Sequence, residues 1–220
     1  MLGYGLLWWF LPVAALIAFL GMSAYHFGQS HFLEQGKLEN REGLLYLLKG
    51  AFFLFLILFG DWAMTQEILS SMISLDLSEE FRLGILGFLL VSSLIAQGFS
   101  AKPFGLTDGL DYLILAPILY FSPLMISFSV YFGFWHSLPS MLAEYAYLRN
   151  IPAFNSPLKF AKQLLPFSGI SLVGIAGILF AGLKFLEPNQ LYLLFFVLIS
   201  LISLPHILYM DTFLKEKFQN

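Results

Sequence analysis

The sequence predicts an all-α fold: a polytopic transmembrane helix bundle of about seven spans, forming one domain over residues 1–220. Three observations predict it. Of the 220 residues 59% are hydrophobic and 11% charged, so most of the chain needs a solvent other than water. The apolar residues fall into runs of about 20, the length that carries a helix across ~30 Å of hydrocarbon. Lys and Arg, finally, collect on one side of the membrane when the connections between runs are assigned alternately to its two faces.

The segments follow in order. The first runs from Leu6 to Phe27; it lacks a basic leader and an A-x-A-like cleavage site, so it reads as a span and not as a signal peptide. A polar loop, Glu34 to Glu42, leads to the second segment, Leu44 to Met64, in which Lys49 is placed near one end with its long side chain snorkelling to the headgroups. An acidic loop with Glu67, Asp76, Glu79 and Glu80 precedes the third, Leu83 to Phe99. After the connection Lys102-Pro103-Phe104-Gly105, the fourth, Tyr112 to Phe121, is short and interrupted by Pro117. The fifth, Leu124 to Leu148, carries His136 and Pro139, the proline kinking the helix by removing a backbone donor. The sixth covers Leu164 to Phe185, and the seventh Leu191 to Phe213 with Pro205 inside it.

With seven spans, one side receives Lys37, Arg41, Lys49, Lys102, Arg149, Lys159, Lys162, Lys215 and Lys217, and the other only Arg82 and Lys184. The first side is therefore cytoplasmic, the N-terminus outside and the C-terminus inside. The absence of cysteine excludes disulfides, thiolate metal sites and cysteine nucleophiles. The formal charge of −3 contains no basic block, which leaves nucleic acid without an electrostatic footprint. The partner that composition implies is the lipid bilayer.

Chemistry points to histidine. The chain has four, His26, His31, His136 and His206, all in or beside apolar segments. An ionisable residue inside a membrane marks function by default, because lipid cannot satisfy its polar atoms; a single one also serves often as a hydrogen-bonding residue between helices. Segments one, five and seven run in the same direction, and their histidines lie about seven to twelve residues from their cytoplasmic ends, which at ~1.5 Å per residue is nearly one depth. His26, His136 and His206 can thus deliver one imidazole each to a shared metal. His31, five residues after His26, is rotated by about 140° on an ideal helix and joins them only if the helix is bulged or broken near Gly28. Ser140 and Glu144 continue a polar stripe from His136 and are candidates to orient a ligand. Phe27, Tyr131, Phe132 and Trp135, beside the proposed ligands, are candidates to grip an apolar substrate.

The strings Tyr25-His26-Phe27-Gly28, Tyr131-Phe132-Gly133-Phe134-Trp135-His136-Ser137 and Leu204-Pro205-His206 resemble, in order, three motifs of the bacteriorhodopsin-related (Brp/Blh) family of membrane β-carotene 15,15′-dioxygenases. The resemblance implies an Fe(II) enzyme that cleaves the central double bond of β-carotene with O₂ to give retinal. It further implies a place in the bacterial inner membrane and a functional link to a retinal-binding rhodopsin. Under it His26 matches the HFG histidine, His136 the first histidine of HS-x-R-H, and His206 the PH histidine. Pro139-Ser140 stand where that motif has Arg-His, His31 stands where HFG-x-x-D has aspartate, and the early G-x-P-H-G-x-x-D motif is read as lacking a counterpart. The chain is then a divergent or N-terminally truncated member. Two alternatives come from other classes: a haem-binding membrane electron carrier with two axial histidines, and a non-catalytic or transport protein using the same histidines. Transport is disfavoured by carboxylates that appear confined to the segment ends.

Overall fold

Helix dominates wherever the chain is described, as the apolar runs require: a backbone without water must satisfy its own N–H and C=O groups. The computed structural model describes residues 2–32, 42–100 and 104–219, with side chains over 3–32, 42–100 and 104–210, and among these it contains no strand. The loop expected at Glu34 to Glu42 and the Lys102-Pro103 connection lie almost wholly outside the described residues.

The first predicted segment is two helices, α1 (Leu2–Phe10) and α2 (Pro12–Ser30), bent at Leu11. Pro12 sits at the start of α2, where its missing N–H removes no helical bond. α3 (Gly43–Gly60) is the central helix, packed against α2, α5, α7 and α8. Its approach to α2 depends on two glycines: a Cβ at Gly28 would strike the backbone of Tyr46, and one at Gly50 the backbone of Ala24. Small residues at such crossings let membrane helices gain dispersion contacts that lipid cannot outcompete. Asp61 ends α3 and caps α4 (Trp62–Leu69), accepting from the Met64 N–H at 3.2 Å; its other oxygen accepts from the N–H of Leu124 at 3.1 Å. α5 (Glu79–Gly98) is capped by Ser78, which accepts from Phe81 N–H.

The fourth and fifth predicted segments are helices with a widened turn. α6 (Leu106–Leu110) passes through a π-helical turn, Asp111–Leu115, into α7 (Ala116–Phe121). α8 (Leu124–Val130) passes through a second, Tyr131–Ser137, into α9 (Leu138–Leu148). Each π-turn ends two residues before a proline, Pro117 or Pro139. A proline inside an α-helix lacks a donor and collides with the carbonyl four residues back. Shifting the ladder to i→i−5, as in Ala116 N–H to Asp111 C=O and Leu138 N–H to Gly133 C=O, opens the turn and admits the ring. The irregularity looked for near Gly28 lies at these two places instead, since α2 runs as α-helix to Ser30.

α10 (Pro157–Gly182) and α11 (Pro188–Gln219) complete the chain. α10 is peripheral: among its residues only Phe160 is buried. Among the described residues four helical stretches, α3, α5, α10 and Pro188–Met210 of α11, are long and apolar enough to cross a membrane.

Candidate metal centre

His26 near the end of α2, His136 in the second π-turn and His206 on α11 are brought together. One ring nitrogen from each lies within 4.8 Å of the others. The rings meet edge to face, with centroids 4.8 Å apart for His26 and His136, 5.4 Å for His26 and His206 and 6.3 Å for His136 and His206. His26 and His136 are buried, whereas His206, on α11, is exposed.

Hydrogen-bond partners on Nδ1 orient two of these rings. The Ser30 hydroxyl donates to the carbonyl of His26 at 3.2 Å, so its oxygen is left to accept, and His136 Nδ1 stands 2.7 Å from it. In the tautomer with Nδ1 protonated, His136 donates to Ser30 and presents the Nε2 lone pair. Nδ1 of His26 likewise faces the Gln29 side-chain oxygen at 3.3 Å, an acceptor. Metal-bound histidines characteristically donate the other ring N–H to an oxygen in this way. Three imidazole nitrogens bound ~2.0–2.1 Å from one ion lie a little over ~3 Å apart, so small ring rotations close the cluster onto a metal. The donor set fits a borderline divalent ion such as iron or zinc.

The Ser140 hydroxyl donates to the His136 carbonyl at 2.7 Å, so Ser140 touches the ligand's backbone and not its ring. Glu144 is half-buried two turns further along α9, ~12 Å along the axis from His136; among the described residues no hydrogen bond ties it to the histidines.

His31 stands apart from the three. Its Nδ1 is 2.7 Å from Asp111 Oδ2 and its Nε2 3.0 Å from the Tyr131 hydroxyl, so both nitrogens are committed, and its ring stacks on Phe53. Since α2 carries no bulge, the five-residue step turns His31 to another face, as an ideal helix dictates. There it joins a second polar cluster. Lys49, expected to snorkel, is fully buried, bonded to Asp108 and 3.5 Å from Asp111, with the rings of Phe32 and Tyr112 around its ammonium. Asp111 also accepts from the Trp135 indole N–H at 2.9 Å, and Asp108 from the Gly105 N–H at 2.8 Å. Buried charges persist only when paired and hydrogen-bonded, which these are.

The four aromatic candidates divide between the clusters. Phe27 and Phe132 pack on His136, with centroids 4.8 and 5.4 Å away, and line a cavity of about 200 Å³ beside the three histidines. Tyr131 and Trp135 face the second cluster instead. The π-turn thus sends Tyr131 and Trp135 to one side and Phe132 and His136 to the other. Phe19, Phe128 and Ile202, which sequence reasoning passed over as generic apolar residues, also line the cavity. Asp108 and Asp111 were missed as well; both lie in the first two turns of the helical run that begins at Leu106, buried against Lys49 and His31. A signal was present: Pro103-Phe104-Gly105-Leu106-Thr107-Asp108 has the P-x-G-x-x-D spacing of the motif read as lacking a counterpart, with phenylalanine in the histidine position.

A trio of convergent imidazoles within an apolar helical bundle defines a candidate metal centre of a membrane protein. The chain matches the family model of beta-carotene 15,15'-dioxygenase over residues 1–214 and belongs to that family. No curated protein and no solved structure matches it.

Proposed function

We propose that this protein is an iron(II)-dependent membrane dioxygenase that cleaves the central double bond of β-carotene with O₂ to give two molecules of retinal. One observation carries the reading: ring nitrogens of His26, His136 and His206 lie within 4.8 Å of one another beside a cavity lined by Phe27 and Phe132. These histidines would hold the metal, with Nε2 of His26 and His136 as donors. Held by these three neutral ligands, such an ion would supply the activation of dioxygen. The balance needs no reductant: the C=C bond breaks, each of its carbons takes one oxygen atom of O₂, and two carbonyl groups form. The protein's part is to position the polyene by apolar contact and to exclude water.

The bundle is proposed to span a bacterial inner membrane about seven times, its N-terminus outside and its C-terminus cytoplasmic. An insoluble polyene then reaches the cavity laterally from the lipid, past the exposed side of His206.

Purified protein is expected to hold about one iron per chain, and cells making β-carotene to accumulate retinal when they express it. His136→Ala and His206→Ala should each abolish both. Retinal yield unchanged by either substitution would overturn the assignment, and haem absorption bands in the purified protein would favour an electron carrier.

A further inference from the structure

One carboxylate touches the flanks of both elements that carry the buried histidines. Asp111, in the first π-turn, sets Oδ2 2.7 Å from Nδ1 of His31 and accepts on Oδ1 from the Trp135 indole N–H at 2.9 Å. His31 is the first residue past α2, five after His26, and Trp135 immediately precedes His136 in the second π-turn. Asp111 is held in turn by charge. Lys49 of α3 stands 3.5 Å from its Oδ2 and is bonded to Asp108, which accepts from the Gly105 N–H at 2.8 Å. Lys49 and Asp108 are fully buried, so each charge is met by protein and not by water. The two oxygens of Asp111 are not interchangeable with an amide's two ends: an indole N–H needs an acceptor, and an amide offers only one oxygen to the two nitrogens that a carboxylate can serve together.

We infer that Asp111 is a positioning residue of the metal centre. One oxygen reaches the end of α2 and the other the second π-turn, so the carboxylate sets where His136 stands relative to His26. Lys49 and Asp108 keep that carboxylate in place from α3 and α6. The inference rests on the metal-centre reading above and adds a frame to it: a buried ion cluster, on the other face of the π-turn from the three imidazoles, fixes the spacing of two ligands without binding the ion itself.

The test titrates the full chain, stripped of metal in detergent micelles, with cobalt(II), whose visible ligand-field bands report the number and arrangement of nitrogen donors. A competing chelator gives the affinity. Trp135→Phe keeps an aromatic ring and every charge of the cluster and removes only the N–H that Asp111 accepts. It should weaken cobalt binding by about ten-fold, the lower end of what partners behind a metal ligand cost, and shift the bands of the bound ion. Asp111→Asn should do the same. The double variant should bind cobalt no more weakly than Asp111→Asn alone, since the N–H and the oxygen act as one pair. Where Asp111→Asn fails to fold, Trp135→Phe decides. Unchanged bands and affinity in Trp135→Phe, or losses that add in full in the double variant, would overturn this inference and leave the metal centre standing. A lowered unfolding temperature with unchanged bands would overturn it too, because the cluster would then serve stability alone. Wild-type protein that binds no cobalt would overturn the metal-centre reading and this inference with it.

Discussion

At Ser30 a single hydroxyl joins two of the three histidines, donating to the backbone of His26 and hydrogen-bonded to Nδ1 of the His136 ring. Ser30→Ala removes the hydrogen-bond partner of Nδ1, so His136 loses what orients its ring. Losses of this kind weaken a metal site ~10–100-fold. Iron affinity of the variant, measured against a competing chelator, should fall by that order while Ser30→Thr retains it; equal affinity in Ser30→Ala would show that Ser30 does not hold the ligand. The histidine trio was legible in the sequence because each member carries its own depth and motif. Lys49 was not: an apolar segment around a lysine looks the same whether the ammonium reaches for headgroups or for a carboxylate 59 residues away. Its partners become visible only when α3 and α6 are packed. His31 was half legible, for the 140° step on an ideal helix placed it away from His26, and what it meets there, Asp111 and Tyr131, is again a long-range fact.

Among the elements, the second π-turn does the most to build the site. It holds His136 and Phe132 toward the metal cavity while Tyr131 and Trp135 anchor it to His31 and Asp111. The adjoining Pro139 stabilises this turn by excluding the α-helical alternative. Pro139→Ala supplies an N–H able to bond the Trp135 carbonyl, which favours a regular helix and swings the residues on either side of the turn relative to each other. Iron content of the purified variant is expected to drop at least about ten-fold, as misplacement of one ligand removes a third of the donor set. Undiminished iron would mean that the anchoring side chains alone set the turn. The positions of Pro117 and Pro139 foretold interruption, yet not its form, because a kink, a break and a widened turn share one sequence pattern.

For the whole molecule, the helical character of the apolar segments was legible, whereas their division, as of the first into α1 and α2, and their arrangement were not. In water a helix displays its buried face as an amphipathic stripe. In a membrane the outer face is as apolar as the inner one, so hydropathy could not say that α3 is central and α10 peripheral. The seven-span topology is open to a direct test, since the chain has no cysteine of its own. Single cysteines at the exposed positions Ser74 and Ala153 lie in connections assigned to opposite sides. In intact cells an impermeant maleimide should label Ser74→Cys and spare Ala153→Cys until the membrane is opened; the reverse pattern would invert the bundle, and labelling of both would change the number of spans between them. The exposed side of His206 carries a consequence of another kind. Under the proposed lateral entry of a carotenoid, the site would sample its substrate from a two-dimensional solution, with occupancy set by the mole fraction in lipid or detergent. Molar concentration in the assay volume is then the wrong variable, and a Michaelis constant for this protein has meaning only in mole per cent of the surrounding amphiphile.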